Sequence, residues 1–489
     1  MRLRVKMRSN RKKGILLPLS SLPSKHGIGS LGIEAYNFVD FLSETGQSYW
    51  QILPICPVGR GNSPYASFSG FAGEILYIDL DLLVSDGLLT QEEIGAGEFT
   101  KNVDYKAVRK FKTPLLKTAV ERFNTENNDF KLFKEQNSYW LYDFALFMAI
   151  RNANLNADFL SWDDGLKYRL PHAIKEFEAA HQSEINFYTV TQYFFFKQYN
   201  RLHNYANTCG IKIIGDIPFY VDLESADIWG RSENFKLGRD MTPTLVAGVP
   251  PDIFSTDGQL WGNPIYNWDY LKANDYLWWK QRLIHNAKLF DALRIDHFRA
   301  FADYYTISAG SQTAKHGKWE TGAGIAFWDK MKPFLNNTLI IAEDLGGEES
   351  PLVKKLLAQT GFPNMKILQF AFDSNLSDPY LPKNYDSNCV CYTGTHDNDT
   401  TLGWYEKLSQ KEKFMFDKLV PKKYNSPVLN LISFGLKSKA DIVIIPLQDY
   451  LQLDSSHRLN IPGVATGNWE WRFGKEDITD TIKKTISTM

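Results

Sequence analysis

Two features of the sequence predict an α/β fold, a (β/α)₈ TIM barrel interrupted by mainly helical insertions. Short, apolar, β-rich runs recur about eight times, and most of those after the first follow a helical pattern. Strands that alternate with helices form parallel βα units, and eight such units close a barrel. The length of 489 residues, with 44% hydrophobic and 23% charged residues, suits a barrel with insertions and argues against a disordered chain.

The predicted strands are the apolar runs, and the predicted helices are amphipathic stretches between them. The strands are Gly14–Leu19, Tyr49–Ile55, Ile211–Pro218, Ala292–Asp296, Leu339–Leu345, Ile367–Phe372, Cys389–Thr395 and Ile442–Leu447. The helices are Ile33–Ser43, Val190–Ala206, Tyr276–Lys288, Pro351–Gln359 and Val428–Lys439.

Two long connections predict insertions into a single domain that covers residues 14–489. About 155 residues separate the second strand from the third, far more than an ordinary βα loop. We expect a helical subdomain there, over about residues 56–188, with helices at Tyr139–Arg151 and Lys167–Ala180. Residues 219–270 are rich in Pro, Gly and polar side chains and predict an active-site loop region. Residues 1–13 form a basic lead that we expect to be disordered.

The composition argues against several classes of partner. The 55 Lys and Arg balance 56 Asp and Glu, so the formal charge is −1 and no strong field attracts a nucleic acid. No run approaches the ~18 apolar residues of a membrane span. Cys389 and Cys391 are expected to be buried free thiols, which predicts a reducing, cytoplasmic location. Aromatic residues make up 14% of the chain and suit a neutral, hydroxyl-rich ligand.

Carboxylates lie at the ends of four predicted strands. Asp216 falls near the end of the third strand, Asp296 ends the fourth, Glu343 lies near the end of the fifth, and Asp397 follows the seventh. The carboxyl ends of barrel strands meet at one mouth, where barrel enzymes place their chemistry. A single Asp at such a position is usually a helix cap. Four acids together, two of them inside apolar strands, predict one acidic pocket instead.

A cation within this acidic set favours glycoside chemistry. Arg294 precedes Asp296 by two residues, so both side chains lie on one side of the strand, and the guanidinium is expected to keep Asp296 ionised as a nucleophile. Glu343, in a drier position, can stay protonated as a proton donor. Two carboxyls in these opposed states, roughly 5–5.5 Å apart, are what retaining glycoside chemistry requires. Asp397 and His396 could then bind sugar hydroxyls.

Two alternatives stay open on these residues alone. Glu343, Asp296 and Asp216 offer oxygen ligands that suit Mg²⁺, although Arg294 places positive charge where the metal would bind. Gly27–Gly32 matches G-x-G-x-x-G between a strand and a helix and predicts, as a distant alternative, a dinucleotide-binding oxidoreductase. A glycine-rich turn explains this segment better, because about seven residues separate it from the strand and the second strand lacks the ribose-binding acid.

Around these residues the sequence resembles the 4-α-glucanotransferases of glycoside hydrolase family 77, the amylomaltases or disproportionating enzymes. The resemblance runs nearly end to end, through GILLPLSSLPSKHGIGSLG, NSPYASFSGFAGE, GDIPFYV, GVPPDIFSTDGQLWGNPIYNW, LRIDHFRA, IAEDLG, TGTHDND and RLNIPGVATGNWEWR. It implies a barrel without the C-terminal β-domain of most α-amylase relatives, no cofactor and no required metal. The chain departs from residues common in the family at Pro18, Arg60, Asn62 and Glu74.

The resemblance also implies roles for individual residues. Asp296 would be the nucleophile, Glu343 the general acid and base, and Asp397 the acid that stabilises the transition state. The residues that would contact substrate are Ser63, Tyr65, Asp216, Asp252, Phe254, Gln259, Trp261, Arg294, His396 and Asn468.

The expected function is retaining transfer of α-1,4-glucan segments from a donor malto-oligosaccharide to the 4-hydroxyl of an acceptor glucose or glucan, through a covalent glucosyl-enzyme. An α-amylase-type hydrolase is the nearest alternative, because the sequence reveals the loop Pro250–Trp261 but not how well it excludes water. A protein that binds glucans without catalysis is a further alternative, which the three expected acids disfavour.

Overall fold

The computed structural model describes residues 11–251, 256–346, 350–373 and 376–489. In chain order, the strands in these ranges are β1 (Lys12–Leu16), β2 (Tyr49–Gln51), β3 (Lys212–Ile217), β4 (Leu245–Val249), β5 (Gln259–Pro264), β6 (Ala292–Ile295), β7 (Asp303–Ser308), β8 (Lys318–Thr321), β9 (Leu339–Ala342), β10 (Asn364–Ile367), β11 (Cys389–Tyr392) and β12 (Ile442–Pro446). The helices in the same ranges are α1 (Ile33–Glu44), α2 (Leu80–Ser85), α3 (Gln91–Ile94), α4 (Tyr105–Arg122), α5 (Asn128–Gln136), α6 (Leu141–Ala153), α7 (Asp164–Lys167), α8 (Pro171–Thr208), α9 (Ala226–Gly230), α10 (Trp268–Ala273), α11 (Leu277–Leu289), α12 (Gly324–Met331), α13 (Pro351–Thr360), α14 (Thr401–Lys407), α15 (Gln410–Leu419), α16 (Pro427–Leu436), α17 (Leu447–Tyr450) and α18 (Asp480–Thr488).

Eight parallel strands close a barrel, which confirms the predicted fold class. Their order around the barrel is β1, β12, β11, β10, β9, β6, β3 and β2. Gly14 in β1 allows a close approach of its neighbours, because a Cβ there would lie 2.6 Å from side-chain atoms of both Ile444 and Tyr49. In the register of β3 and β6, Asp216 lies opposite Arg294. Strand pairing therefore brings together two residues that are far apart in sequence.

Capping residues define where the helices around the barrel begin. The side chains of Ser350, Thr400 and Ser426 accept hydrogen bonds from backbone N–H groups in the first turns of α13, α14 and α16. Proline follows Ser350 and Ser426 in the first helical turn, where its missing N–H costs nothing. Barrel side chains such as Trp50 and Leu293 are completely buried, and each such burial stabilises the fold by about 1.5–3 kcal/mol.

A mainly helical insertion lies between β2 and β3, as the long connection predicts. Helices α2 to α8 occupy it. The predicted helix Tyr139–Arg151 corresponds to α6, Leu141–Ala153. The predicted helices at residues 167–180 and 190–206 fall largely within one element, α8, which has 38 residues and a kink at His181. Because α8 runs through residue 188, the C-terminal boundary that the sequence predicts for the subdomain falls inside a helix.

Residues 219–270 contain more regular structure than the loop region that the sequence predicts. They include α9, β4, β5 and α10. Strand β4 pairs antiparallel with β5 and β7 in a four-stranded sheet of order β5, β4, β7, β8. Strand β5 is mostly exposed and contains Gly and Pro, so it lacks the alternation typical of a half-buried strand.

The predicted bounds of the sixth barrel strand and of the N-terminal lead are wrong. The sixth barrel strand is Asn364–Ile367 rather than Ile367–Phe372, because residues 368–370 form a 3₁₀ turn. Lys366 makes this strand look polar, yet it is buried with its ammonium 5.3 Å from the centre of the Tyr380 ring. At the N-terminus β1 begins at Lys12, so residues 12 and 13 belong to the barrel. Residues 1–10 lie outside the described residues.

The cysteines are free, as predicted, and Cys389 and Cys391 are buried in β11. Burial raises the pKa of the Cys391 thiol to about 11, so this thiol stays protonated near neutral pH. No helix in the described ranges is both long and apolar enough to span a membrane.

Candidate active site

Two acids and an arginine meet at the carboxyl ends of β3 and β6. Arg294 Nη1 lies 2.8 Å from both carboxylate oxygens of Asp216 and 3.0 Å from Asp296 Oδ1. The Arg294 side chain is 3% exposed and that of Asp216 is fully buried. The predicted contact between Arg294 and Asp296 is confirmed, and one buried cation serves two carboxylates.

Glu343 lies beside Asp296 at the same mouth. Strand β9 pairs with β6, and the backbone N–H of Glu343 donates to the carbonyl of Ile295 at 3.1 Å. The Glu343 carboxyl accepts from the backbone N–H groups of His297, at 2.6 Å, and Leu345, at 2.9 Å. His297 has a φ of 51°, a left-handed conformation that turns the chain directly after Asp296. The carboxyl of Glu343 therefore reaches the residue next to Asp296.

Burial shifts the protonation of both acids. It raises the pKa of Glu343 to about 8, although Arg294 acts to lower it. It also raises the pKa of Asp296 to about 6, despite the contact with Arg294. Arg294 acts to lower the pKa of Asp296, as expected, but it also binds Asp216, and burial outweighs its effect on Asp296. The two acids titrate as a pair, and between about pH 6 and 8 the favoured state has Asp296 ionised and Glu343 protonated.

Asp397, which follows β11, is held by two side chains, those of His396 and Asn460. Its side chain is 44% exposed, and Oδ2 lies 3.3 Å from His396 Nε2. Its other oxygen accepts from Asn460 Nδ2 at 2.6 Å. Burial acts to raise the pKa of Asp397, but His396 and Asn460 outweigh it and hold the pKa below the usual value. Asp397 is therefore ionised where Glu343 keeps its proton.

Tyr65 joins the two sides of the mouth. Its hydroxyl donates to Asp216 Oδ2 at 2.7 Å. Its ring stacks on that of His396, with centroids 5.1 Å apart and planes 15° apart. Ser63 Oγ accepts from the backbone N–H of Tyr65 at 3.2 Å, so Ser63 positions the aromatic ring.

Trp261 brings the antiparallel sheet to the same mouth. It lies in β5 with 39% of its surface exposed. Its ring meets that of His297 edge-on, with centroids 4.7 Å apart. Gln259 Oε1 accepts from Trp261 Nε1 at 3.1 Å. The structure thus places Trp261 next to the residue that follows Asp296, with Gln259 bonded to its indole N–H.

The other predicted substrate-binding residues are Asp252, Phe254 and Asn468. Asp252 and Phe254 lie outside the described residues. Asn468 is 6% exposed, and its amide accepts from the N–H of Ile461 at 3.0 Å and donates to the carbonyl of Val464 at 2.8 Å. Asn468 therefore holds the loop over residues 461–468, and its contact with substrate stays a prediction.

The glycine-rich turn at Gly27–Gly32 is filled by a carboxylate of the protein. Asp79 Oδ2 accepts from Ser30 Oγ at 2.7 Å. A Cβ on Gly32 would lie 2.0 Å from the same oxygen. A pyrophosphate needs the space and the positive potential at the start of the helix. The Asp79 carboxylate fills that space, and its negative charge opposes that potential. The turn is explained by close packing.

The acids of the mouth are paired with a cation of the chain itself. Arg294 contacts Asp216 and Asp296 together. In the part of the chain that the structure describes, no group of three or more His, Cys, Asp or Glu is arranged to hold a metal ion.

Comparisons with known proteins agree with this geometry. A sequence model of glycoside hydrolase family 77, described as 4-alpha-glucanotransferase, matches residues 17–477. The chain belongs to this family. It is 41% identical over 480 residues to a 4-alpha-glucanotransferase of Clostridium butyricum, covering 96% of this chain and 97% of that protein. It is 42% identical over 472 residues to one of Thermus thermophilus, covering 94% of each.

Solved structures of amylomaltases share the fold. An amylomaltase from Streptococcus agalactiae, in complex with acarbose, is 40% identical and superimposes with a TM-score of 0.94 over 98% of both chains. One from Corynebacterium glutamicum is 18% identical, with a TM-score of 0.81 over 98% of this chain and 75% of that one; this match supports the fold alone. The family predicted from the sequence is confirmed.

Two residues that bind Asp397 at the mouth of the barrel were not predicted from the sequence. Asn460 donates to the Asp397 carboxylate, and Arg458 Nη2 donates to the carbonyl of Asp397 at 2.9 Å. Both residues lie in the block RLNIPG, in the segment that follows β12 and α17. Neither residue lies at the end of a barrel strand, so a search of strand ends does not find them. Their place in the block RLNIPG is the sequence signal that could identify them.

Proposed function

We propose that this protein is a retaining 4-α-glucanotransferase that moves α-1,4-glucan segments from a donor malto-oligosaccharide to the 4-hydroxyl of an acceptor glucose or glucan. Membership of the family over residues 17–477 supports the enzyme class. The observation that carries the mechanism is the pairing of Asp296, with a pKa of about 6, and Glu343, with a pKa of about 8, at one mouth. Retaining glycoside chemistry needs one ionised and one protonated carboxyl.

In the first step Glu343 protonates the glycosidic oxygen while Asp296 attacks the anomeric carbon. The bond to the reducing-end fragment breaks, and a covalent bond to Asp296 forms. Glu343 suits this role because burial keeps its proton at neutral pH. The 2.6 Å hydrogen bond from the N–H of His297 holds its carboxyl next to Asp296.

In the second step Glu343, now a base, takes the proton from the 4-hydroxyl of the acceptor. The acceptor oxygen attacks the anomeric carbon and releases Asp296. Two inversions restore the original configuration, so one α-1,4 bond replaces another. No redox partner or cofactor enters this balance, and we propose that no metal does either, because Arg294 supplies the positive charge between Asp216 and Asp296.

The remaining residues bind the sugar between these two acids. Asp397 and His396 lie together at 3.3 Å and offer a carboxylate and an imidazole to sugar hydroxyls. Bonds that tighten as the ring flattens accelerate the reaction. Tyr65 offers the free part of its aromatic face beside His396. The relative from Streptococcus agalactiae binds acarbose, and we propose that acarbose occupies this mouth.

Transfer is distinguished from hydrolysis by its products. A thousandfold preference for a sugar acceptor over water needs about 4 kcal/mol of differential barrier, and exposed Trp261 beside His297 is placed to exclude water. Incubation with maltotriose is expected to yield glucose and a ladder of longer oligosaccharides. Shorter sugars alone would support the hydrolase instead.

Activity is expected to persist in EDTA. A loss of activity in EDTA that Mg²⁺ restores would contradict the metal-free account.

We also propose a cytoplasmic location. The free state of the four cysteines supports it, because oxidising compartments favour disulfides. Fractionation of the native host's cells, followed by an assay of transferase activity in each fraction, tests this.

A further inference from the structure

A small cavity lies beside His396, between the segment that follows β11 and the end of β12. Its volume is about 10 Å³, close to the room that one water molecule needs. His396, Asp399, Gln448 and Arg458 are among the residues that line it. The proposed mechanism uses the other nitrogen of His396 and leaves this cavity unexplained.

Three of the lining residues each carry a buried polar atom that has no hydrogen-bond partner among the described residues. These atoms are His396 Nδ1, Asp399 Oδ1 and Gln448 Oε1. His396 and Gln448 are each 3% exposed, and the Asp399 side chain is 9% exposed. Buried polar atoms are almost always paired, with the protein or with ordered water. Three orphaned atoms around one water-sized cavity indicate a common partner.

We propose that one water molecule binds in this cavity and joins His396 Nδ1 to Asp399 Oδ1 and Gln448 Oε1. A water molecule has two protons to donate, and both oxygens are acceptors. The water therefore donates to Asp399 and Gln448 and accepts from His396 Nδ1–H. Asp399 and Gln448 are thus positioning residues for His396.

This arrangement specifies the hydrogen bonds of His396. Its Nε2 faces Asp397 Oδ2 at 3.3 Å, and its Nδ1 faces the lone pair of the water, so each ring nitrogen is directed at an acceptor.

The catalytic consequence rests on the proposed function, in which His396 binds a sugar hydroxyl. Tyr65 stacks on the face of the ring, and the water fixes its rotation from behind. Nε2–H is then held toward Asp397 and the sugar throughout the reaction. Ordered partners behind a functional histidine act in this way in many sites.

A crystal structure of the protein at about 1.5 Å resolution tests the water directly. We expect one ordered peak about 2.7–3.2 Å from His396 Nδ1, Asp399 Oδ1 and Gln448 Oε1. A cavity without density, or a peak that does not contact His396 Nδ1, would overturn the proposal. This test needs no substrate and no variant.

Nitrogen NMR of ¹⁵N-histidine-labelled protein tests the protonation, with the His396 signals assigned by their loss in His396→Gln. We expect Nδ1 of His396 to carry a proton in the wild type and in Gln448→Glu, which keeps an acceptor oxygen. Gln448→Leu should lose the Nδ1 proton and lower kcat about tenfold, the size of one lost hydrogen bond, with little change in KM.

The control is Gln452→Leu, the same change at an exposed position outside the cavity, which should leave the His396 signals and activity unchanged. An unprotonated Nδ1 in the wild type would overturn the proposal whatever the activity. Absence of transferase activity in the wild type would instead contradict the proposed function and leave the result on the water unaffected.

Discussion

The mouth of the barrel holds its acids in two contrasting regions. At the ends of β6 and β9, Glu343 is buried and the Asp296 side chain is 28% exposed, and burial raises both pKa values. After β11, Asp397 is 44% exposed and bonded to His396 and Asn460, and its pKa is lowered. Position at a strand end therefore does not set the charge of an acid. The balance between burial and hydrogen-bonded partners does.

The strongest test of this contrast removes the charge of Asp296. Asp296→Asn should lower transferase activity by at least about 10⁴-fold, because an amide cannot attack the anomeric carbon. Maltotriose disproportionation measures the loss. Asp269→Asn, the same change at an exposed position in α10, should retain activity. An active, folded Asp296→Asn variant would refute the nucleophile assignment.

A smaller effect is expected from weakening the shared cation. Lysine cannot reproduce the guanidinium contacts to Asp216 and Asp296. Arg294→Lys should lower kcat by about 10²-fold and raise the pKa of Asp296, so the acid limb of the pH profile moves upward. Circular dichroism is needed to confirm folding. An unchanged acid limb in a folded variant would show that Arg294 does not control this acid.

The plot of kcat/KM against pH should be bell-shaped, and its two limbs should report Asp296 and Glu343 alone. Activity rises as pH increases through about 6, because Asp296 loses its proton, and falls above about 8, because Glu343 loses its own. Asp397 should add no limb in this range, since its pKa is lowered. A flat profile between pH 5 and 9 would contradict the account.

Substitutions around Asp397 should lower activity less than Asp296→Asn does. Asn460→Ala removes the 2.6 Å hydrogen bond to Asp397 and is expected to lower kcat/KM about tenfold, the size of one hydrogen bond to a charged group. Asn128→Ala, at an exposed position in α5, serves as the control. A loss as large as that of Asp296→Asn would erase the distinction between the two regions.

Much of the barrel could be predicted because its strands are buried on both faces and their sequences are therefore apolar runs, as in β3 and β12. Strand β10 could not be placed correctly, since buried Lys366 is accommodated by the Tyr380 ring, a tertiary contact. Strand β5 was missed because it is mostly exposed and its pairing with β4 is the only sign of a strand.

The predicted acids could be found because strand ends converge in a barrel. The sharing of Arg294 between Asp216 and Asp296 could not be predicted, because it depends on the register of β3 and β6. The partners of Asp397 were missed for a similar reason. Asn460 and Arg458 lie beyond β12 and reach Asp397 only when the chain folds back over the mouth.

Trapping of the covalent intermediate tests the central claim most directly. Glu343→Gln with α-maltotriosyl fluoride, whose leaving group needs no proton, should form the glycosyl-enzyme and accumulate it, because the base for the second step is absent. Peptide mass spectrometry is expected to find one maltotriosyl group on Asp296. Release of fluoride with the sugar on another residue, or with no labelled peptide, would contradict the account.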